Sequence, residues 1–231
     1  MLKDIKRQMH GQDDLLKALP WKARRHFRKL ATPTELRARD VLFHAGDVGD
    51  GCYFIRGGAV KAVVYAHDGQ ERLLAVLGPG SLVGEMALID DEPRSATVVA
   101  LRACQLLHLS NAAFFQLAEL HPMVYRQSLR LLSRRLRNTN DSVVAQGTVT
   151  VQGRVARAFM SLATGLGEEE PSGRIVLLHR ISQADIANLA GAARENASRA
   201  INDLRRMGVL GRADGFYTIE RAAQLLDLAE V

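Results

Sequence analysis

The rhythm of apolar and polar positions changes several times along the chain, and each change marks an element. Between residues 12 and 30, Leu15, Leu16, Leu19, Trp21, Phe27 and Leu30 alternate with basic positions around Pro20, which predicts two short helices with a solvated basic face. From about 32 to 118 the texture turns to short β-rich runs, AVKAVVYA, ERLLAVL, ATVVAL and CQLLHLS. Gly46, Gly49, Gly51, Gly57-Gly58, Gly69 and Gly78-Pro79-Gly80 punctuate them. Regular short strands with glycine turns predict an all-β barrel or jelly roll.

After His121-Pro122 no Gly or Pro interrupts the chain until Gly147, and Tyr125, Leu129, Leu132, Leu136, Thr139 and Val143 recur at alternating fours and threes. This heptad seam predicts a long helix that dimerises; the alternative is a stripe packed on the chain's own barrel. Arg130, Arg134, Arg135 and Arg137 occupy the other faces. Beyond a TVTVQG junction, residues 152 to 231 read as helix, loop, the β run RIVLL, two helices and a hairpin, VLGR and FYTI about Asp214-Gly215. A helix-turn-helix with a wing is the natural assembly. The expected fold is α+β in three parts: a jelly roll with N-terminal helices over 1–120, a dimerisation helix over 121–147 and a winged helix-turn-helix over 148–231.

A chain of 231 residues suits two domains, each able to bury a core without a metal or disulfide staple. Cys52 and Cys104 are far apart and lack CxxC or Cys/His spacing, which argues against a zinc site or disulfide framework and for a reducing cytoplasm. The opening MLKDIKRQMH lacks the apolar core of a signal peptide, and no apolar run reaches the roughly eighteen residues of a membrane span. The net charge of +6 invites a nucleic-acid partner, but residues 1–151 carry it, with 21 basic against 15 acidic side chains, while residues 152–231 hold ten of each. Within that neutral half the stretch 174–212 is basic, seven Arg against three acids, because acids gather at the tail and at Glu168–Glu170, which reads as an exposed loop.

In the β region the segment from Gly84 to Ala96, GEMALIDDEPRSA, opens a short apolar helical turn on a glycine and returns through Arg-Ser-Ala into a strand. Free N–H groups at a helix start favour an anion, a glycine admits close approach, and Arg94 can fork onto two phosphate oxygens, with Ser95 adding a hydrogen bond. Glu85 would repel the same phosphate, so its expected partner is a ribose hydroxyl. Singly, Arg94 also reads as a surface arginine paired with Asp90 or Asp91, and Glu85 as an ordinary helix-start acid. Their ordered combination describes a sugar-phosphate site.

With these residues the chain resembles the cyclic AMP receptor protein and FNR superfamily of transcription regulators, whose nucleotide-binding members carry a GE(M/L)…RSA cassette. Gly84, Glu85, Arg94, Ser95 and Ala96 match, with Met86 at the M/L position. The order of jelly roll, long helix and winged helix-turn-helix matches over nearly the whole chain. The resemblance implies a cyclic nucleotide-binding jelly roll and a bacterial homodimer. It also implies that a Thr-Ser pair on the long helix contacts the adenine, one subunit supplying the first residue and its mate the second. Thr139 matches that pair and Asn140 departs from it. An asparagine amide can meet adenine N6 or guanine O6, so the expectation is cyclic AMP with tolerance of cyclic GMP. Ser95, where cyclic GMP-selective relatives often have threonine, looks like the cyclic AMP side. Without the resemblance, Thr139 and Asn140 read as a register-fixing polar layer.

Ser182-Gln183-Ala184-Asp185 has the form of a capping box opening a helix that ends at Gly191, and the next helix runs from about Ala193 to Met207. Ala197, Ile201 and Leu204 should face inward, leaving Arg194, Glu195, Asn196, Ser198, Arg199 and Asn202 outside. Arginine can fork onto guanine and glutamate can accept from cytosine N4, so Arg194, Glu195 and Arg199 are the expected base readers, accompanied by Ser182, Asn196 and Ser198. Glu195 and Arg199 also have the spacing of an intrahelical salt bridge. Arg-Glu-x-x-x-Arg matches the superfamily's recognition helix, which implies a TGTGA-like half-site.

Two cysteines are too few for an iron–sulfur cluster, His44, His67 and His108 show no haem-ligating spacing, and no metal cluster or activated nucleophile supports an enzyme. The expectation is a cytoplasmic, allosteric, non-enzymatic DNA-binding regulator that needs no metal or membrane. By the resemblance its partners are double-stranded DNA, a second copy of the chain and RNA polymerase, touched through a surface near Glu168–Glu170. The alternative is a regulator of the same kind that binds DNA independently of cyclic nucleotide or senses another ligand.

Overall fold

A computed structural model of the chain describes residues 1–8, 15–65 and 71–230. His67, the turn expected at Gly69 and residues 12–14 of the first helical segment lie outside the described residues. The N-terminal half runs α1 (Leu2–Gln8), α2 (Leu15–Ala18), α3 (Trp21–Leu30), β1 (Thr32–Leu36), β2 (Val41–Phe43), β3 (Gly51–Gly57), β4 (Val60–Tyr65), β5 (Glu71–Leu77), β6 (Leu82–Val83), α4 (Glu85–Ile89), β7 (Thr97–Ala100) and β8 (Cys104–Ser110). It continues through α5 (Asn111–Leu120) and α6 (Met123–Thr148) to α7 (Val151–Leu166), β9 (Gly167–Glu169), β10 (Ile175–Leu177), α8 (Gln183–Leu189), α9 (Arg194–Arg206), β11 (Leu210–Ala213), β12 (Phe216–Ile219) and α10 (Ala222–Leu228).

These elements form two compact units, one of Gln12–Val64 and Leu77–Leu136, the other of Met1–Gly11, Tyr65–Val76 and Arg137–Val231. The division by contacts does not follow the bounds 1–120, 121–147 and 148–231 read from the sequence. The first helix and the arm carrying β5 belong with the C-terminal unit. For α1 the reason is Ile5, fully buried where the helix packs on α7, β9 and α10.

In the first unit, one antiparallel sheet has the order β1-β8-β3-β6, and β2, β7 and β4 lie side by side in another. The run Cys52–Ile55 in β3 is buried without alternation, as befits a strand covered on both faces. Phe54 reaches across to Phe27 of α3, edge to face at 6.0 Å, and Leu19, Leu82, Leu88, Phe114, Leu117 and Val124 complete the core. A hydrogen bond of 2.9 Å between His26 Nδ1 and His121 Nε2 ties α3 to the corner between α5 and α6. Cys52 and Cys104 are both free and buried on their strands.

The face of α6 that packs on this core carries Val124 and Leu131. Along the seam Leu129 and Leu136 are both 62% exposed and Tyr125 is 40% exposed with its ring edge to face on Phe114 at 6.4 Å, Leu132 is half-buried, and Val143, on the part of α6 that belongs to the second unit, is 63% exposed. No helix among the described residues is long and apolar enough to cross a membrane.

In the second unit α7 is the central helix, with Val155, Phe159, Leu162 and Leu166 wholly or almost wholly buried. Phe159 meets Tyr217 of β12 edge to face at 5.1 Å, beneath a four-stranded sheet of order β11-β12-β10-β9. The acidic run expected as a loop begins in a strand, because β9 pairs Glu168 with Val176 and Glu169 with Ile175. It is an edge strand on which Glu168 stays exposed and the Glu169 carboxylate pairs with the Met1 ammonium and accepts from Leu2 N, so charge is tolerated there despite poor strand propensity. Asp214 and Gly215 close the β11–β12 hairpin with φ of 52° and 83°, the left-handed pair that a two-residue hairpin turn demands.

Candidate functional site

The cassette expected from sequence is assembled in the first unit. Gly84 precedes α4 with φ 82°, a conformation open to glycine, and a Cβ there would lie 2.5 Å from Arg94 Nη1. The glycine is thus needed twice, for the backbone and for the guanidinium above it. Arg94 is anchored by its own backbone, its N–H donating to Asp47 O at 2.8 Å and its carbonyl accepting from Gly46 N at 2.9 Å.

The Arg94 side chain is 1% exposed. Its Nη1 donates to Gly84 O and its Nη2 to Asp50 Oδ1, both at 2.6 Å, and Phe43 covers the guanidinium at 4.2 Å. The fork expected to be free for a phosphate, or paired with Asp90 or Asp91, is held by Asp50 in the turn before β3. The Asp50 carboxylate also accepts from Tyr53 OH at 3.0 Å and lies 3.6 Å from His108 Nε2. Tyr53 stacks on the His108 ring at 4.6 Å. Burial first, and the Asp50 carboxylate second, push the Tyr53 hydroxyl up to about 12, so it stays a donor across the physiological range.

Glu85, fully buried at the start of α4, pairs through Oε1 with Arg135 of α6, which also donates to Leu82 O at 2.5 Å. Two polar atoms of the cassette are buried without a hydrogen-bond partner, the Nε donor of Arg94 and the Oε2 acceptor of Glu85. Ser95 is exposed, its hydroxyl 3.5 Å from Met86 Sδ, and Ala96 is half-buried. Gly84, Glu85, Met86, Arg94 and Ser95 are therefore brought together. Thr139 and Asn140 stand exposed on α6 in the other unit, Thr139 one turn beyond Arg135.

Sequence reasoning missed Asp50 and Arg135. Arg135 carried a signal, since it lies off the apolar seam and four residues before Thr139. Asp50 carried none beyond a glycine-rich turn.

The second candidate surface is built on α8 and α9. The capping box of α8 forms, with Asp185 N donating to Ser182 Oγ and Ser182 N to Asp185 Oδ2, each at 3.1 Å. The Ser182 hydroxyl also donates to Asp185 Oδ2 at 2.7 Å, so its proton is used within the box. Gly191 turns the chain with φ 55°, and Arg154 of α7 clasps that turn through Gly191 O at 2.6 Å and Ala190 O at 3.2 Å. Ala197, Ile201 and Leu204 face inward, while Arg194, Glu195, Asn196, Arg199 and Asn202 are exposed and Ser198 is half-buried. Arg199 donates to Asn196 Oδ1 at 2.8 Å rather than to Glu195.

Comparison with known proteins places both surfaces in a family. Residues 33–121 match the profile of the cyclic nucleotide-binding domain and residues 153–228 that of the Crp-like helix-turn-helix domain. The chain is 32% identical over 180 residues to the CRP-like cAMP-activated global transcriptional regulator of Mycobacterium tuberculosis, covering 78% of this chain and 80% of that one. It is 35% identical over 189 residues to the cyclic AMP receptor protein of Thermus thermophilus, covering 81% and 83%. In fold it is similar to the solved structure of FixK2 from Bradyrhizobium japonicum, with TM-score 0.73 and 22% identity over 86% of this chain and 96% of that one.

Proposed function

The chain belongs to the cyclic AMP receptor protein and FNR family of transcription regulators, and from that premise we propose that it binds cyclic AMP at the Gly84–Ala96 cassette and thereby controls sequence-specific DNA binding. The observation that carries the reading is the pair of unmatched buried atoms flanking Gly84. Arg94 Nε is a donor with no acceptor and Glu85 Oε2 an acceptor with no donor. A sugar phosphate supplies both: a phosphate oxygen accepts from Arg94, and a ribose hydroxyl donates to Glu85. Burying such groups without partners costs about 1–3 kcal/mol each, which a fitting ligand recovers.

Arg135 links this site to α6, because it holds Glu85 and Leu82 O at once. A ligand that engages Glu85 acts on the arginine that joins cassette to dimer helix. Two copies pair through the exposed seam of Tyr125, Leu129, Leu136 and Val143, and Thr139 and Asn140 on the paired helices contact the base. The Asn140 amide admits guanine as well as adenine, so cyclic GMP binds too. In the cytoplasm, the dimer presents two α9 helices to a palindromic TGTGA-like duplex, with Arg194, Glu195 and Arg199 reading bases and Ser182, Asn196 and Ser198 beside them. The regulator acts on RNA polymerase without catalysing a reaction. Titration calorimetry tests the ligand: wild-type protein binds cyclic AMP, and Arg94→Leu loses it. Wild-type protein that takes up neither cyclic AMP nor cyclic GMP overturns the assignment.

A further inference from the structure

We propose that Asp50 is a built-in competitor for Arg94, a carboxylate of the chain that sets how tightly the site holds a phosphate. The inference rests on the cyclic nucleotide reading of the cassette and goes beyond it, because Asp50 lies outside the Gly84–Ala96 segment. Four observations carry it.

The first is asymmetry of burial. The Arg94 side chain is 1% exposed and that of Asp50 59% exposed, at a separation of 2.6 Å. A buried cation needs a counter-charge, whereas a half-solvated carboxylate can return to water at small cost. Of the two partners, only Asp50 is free to leave.

The second is that Asp50 is not what positions Arg94. Gly84 O, the Phe43 ring and the backbone hydrogen bonds to Asp47 and Gly46 hold the arginine independently of it. Removing the Asp50 charge leaves the guanidinium in place and uncompensated.

The third is the surrounding charge. Glu85, the buried carboxylate of the cassette, has its own cation in Arg135, and the carboxylate that pairs with Arg94 is Asp50. A phosphate arriving at Arg94 shares one positive charge with an anion already there, and like charges repel.

The fourth is the seat prepared for Asp50. Tyr53 OH donates to Oδ2 at 3.0 Å, and the His108 ring, stacked on Tyr53, lies 3.6 Å from the same oxygen. The carboxylate is thus held at a defined point against the arginine, in the manner of a tethered ligand with a high effective concentration.

The test uses the full-length protein and Asp50→Asn, which keeps the size of the side chain and an oxygen acceptor for Arg94 and Tyr53 while removing the charge. Calorimetric titration with cyclic AMP is expected to give a Kd about tenfold lower in Asp50→Asn than in wild type, or about 1.4 kcal/mol. Without nucleotide the variant is expected to melt about 2–4 °C lower, and saturating cyclic AMP to erase the difference. Weaker or unchanged binding in Asp50→Asn overturns the proposal, since an aspartate that merely positions Arg94 gives that result. A gain that persists when Arg94→Leu is added also overturns it, because the effect then does not pass through the arginine. Should wild-type protein bind no cyclic nucleotide, the functional reading fails by itself. Asp50→Asn then decides the present one: acquired binding supports it and continued absence rejects it.

Discussion

Replacing Gly84 by alanine isolates what the cassette glycine does. Two costs are expected. The backbone at φ 82° is left-handed, which charges an alanine about 1–2 kcal/mol. The new Cβ would lie 2.5 Å from Arg94 Nη1, closer than real Cβ contacts, so the guanidinium must shift off Gly84 O and Asp50. Losing charge-assisted hydrogen bonds costs about 1.5–3 kcal/mol, and the low end applies because Asp50 is half in water. Together these come to about 3 kcal/mol, or roughly 6–12 °C in melting midpoint for a chain of this size. Gly46→Ala is the matched comparison, since Gly46 has φ 89° but nothing within 4 Å of its would-be Cβ. It should suffer the backbone cost alone and melt about 2–8 °C below wild type. Differential scanning calorimetry of the three proteins reads the difference. If Gly84→Ala falls no further than Gly46→Ala, the guanidinium does not depend on the space beside Gly84 and the description of the cradle is wrong.

Other consequences concern the seam, the start of α8 and the Tyr53 cluster. Leu136→Asp puts a charge on an exposed seam position, and sedimentation should show the dimer giving way to monomer, while an unchanged dimer would place the subunit contact elsewhere. Ser182→Ala removes the hydroxyl that accepts from Asp185 N in the α8 capping box, leaving the Ser182 N bond to Asp185 in place, and is expected to cost about 1 kcal/mol in urea unfolding. Because the Tyr53 hydroxyl is raised to about 12 in the folded protein against about 10 in an unfolded chain, its contribution to stability is complete below pH 10 and is lost as pH rises toward 12. Phenolate absorbance should show a component near 12 that disappears in Tyr53→Phe and moves lower, though not fully to 10, in Asp50→Asn.

Features written in local pattern were legible in the sequence. The Ser182–Asp185 capping box, the Asp214-Gly215 hairpin, the inward face of Ala197, Ile201 and Leu204, and the heptad seam each follow from residues a few positions apart. The cassette was legible for the same reason, since Gly84, Glu85 and Arg94 lie within eleven residues of one another. What escaped was long-range. Asp50 meets Arg94 across 44 residues and Arg135 meets Glu85 across 50, and no local pattern announces either pairing. The seat of α1 escaped likewise, because Ile5 alone gives no sign that it is buried against a helix beginning at Val151. Glu168 and Glu169 misled because an edge strand can carry charges that a central strand cannot.

The central claim, that a nucleotide at Arg94 and Glu85 governs DNA reading by α9, is tested most directly by titrating a fluorescent palindromic TGTGA-like duplex with the full-length protein. The anisotropy is followed with and without saturating cyclic AMP, for wild type and for Arg94→Leu. Cyclic AMP is expected to tighten wild-type binding by at least tenfold and to leave Arg94→Leu unaffected at the weaker, nucleotide-free level. Equal wild-type affinity with and without the nucleotide would contradict it.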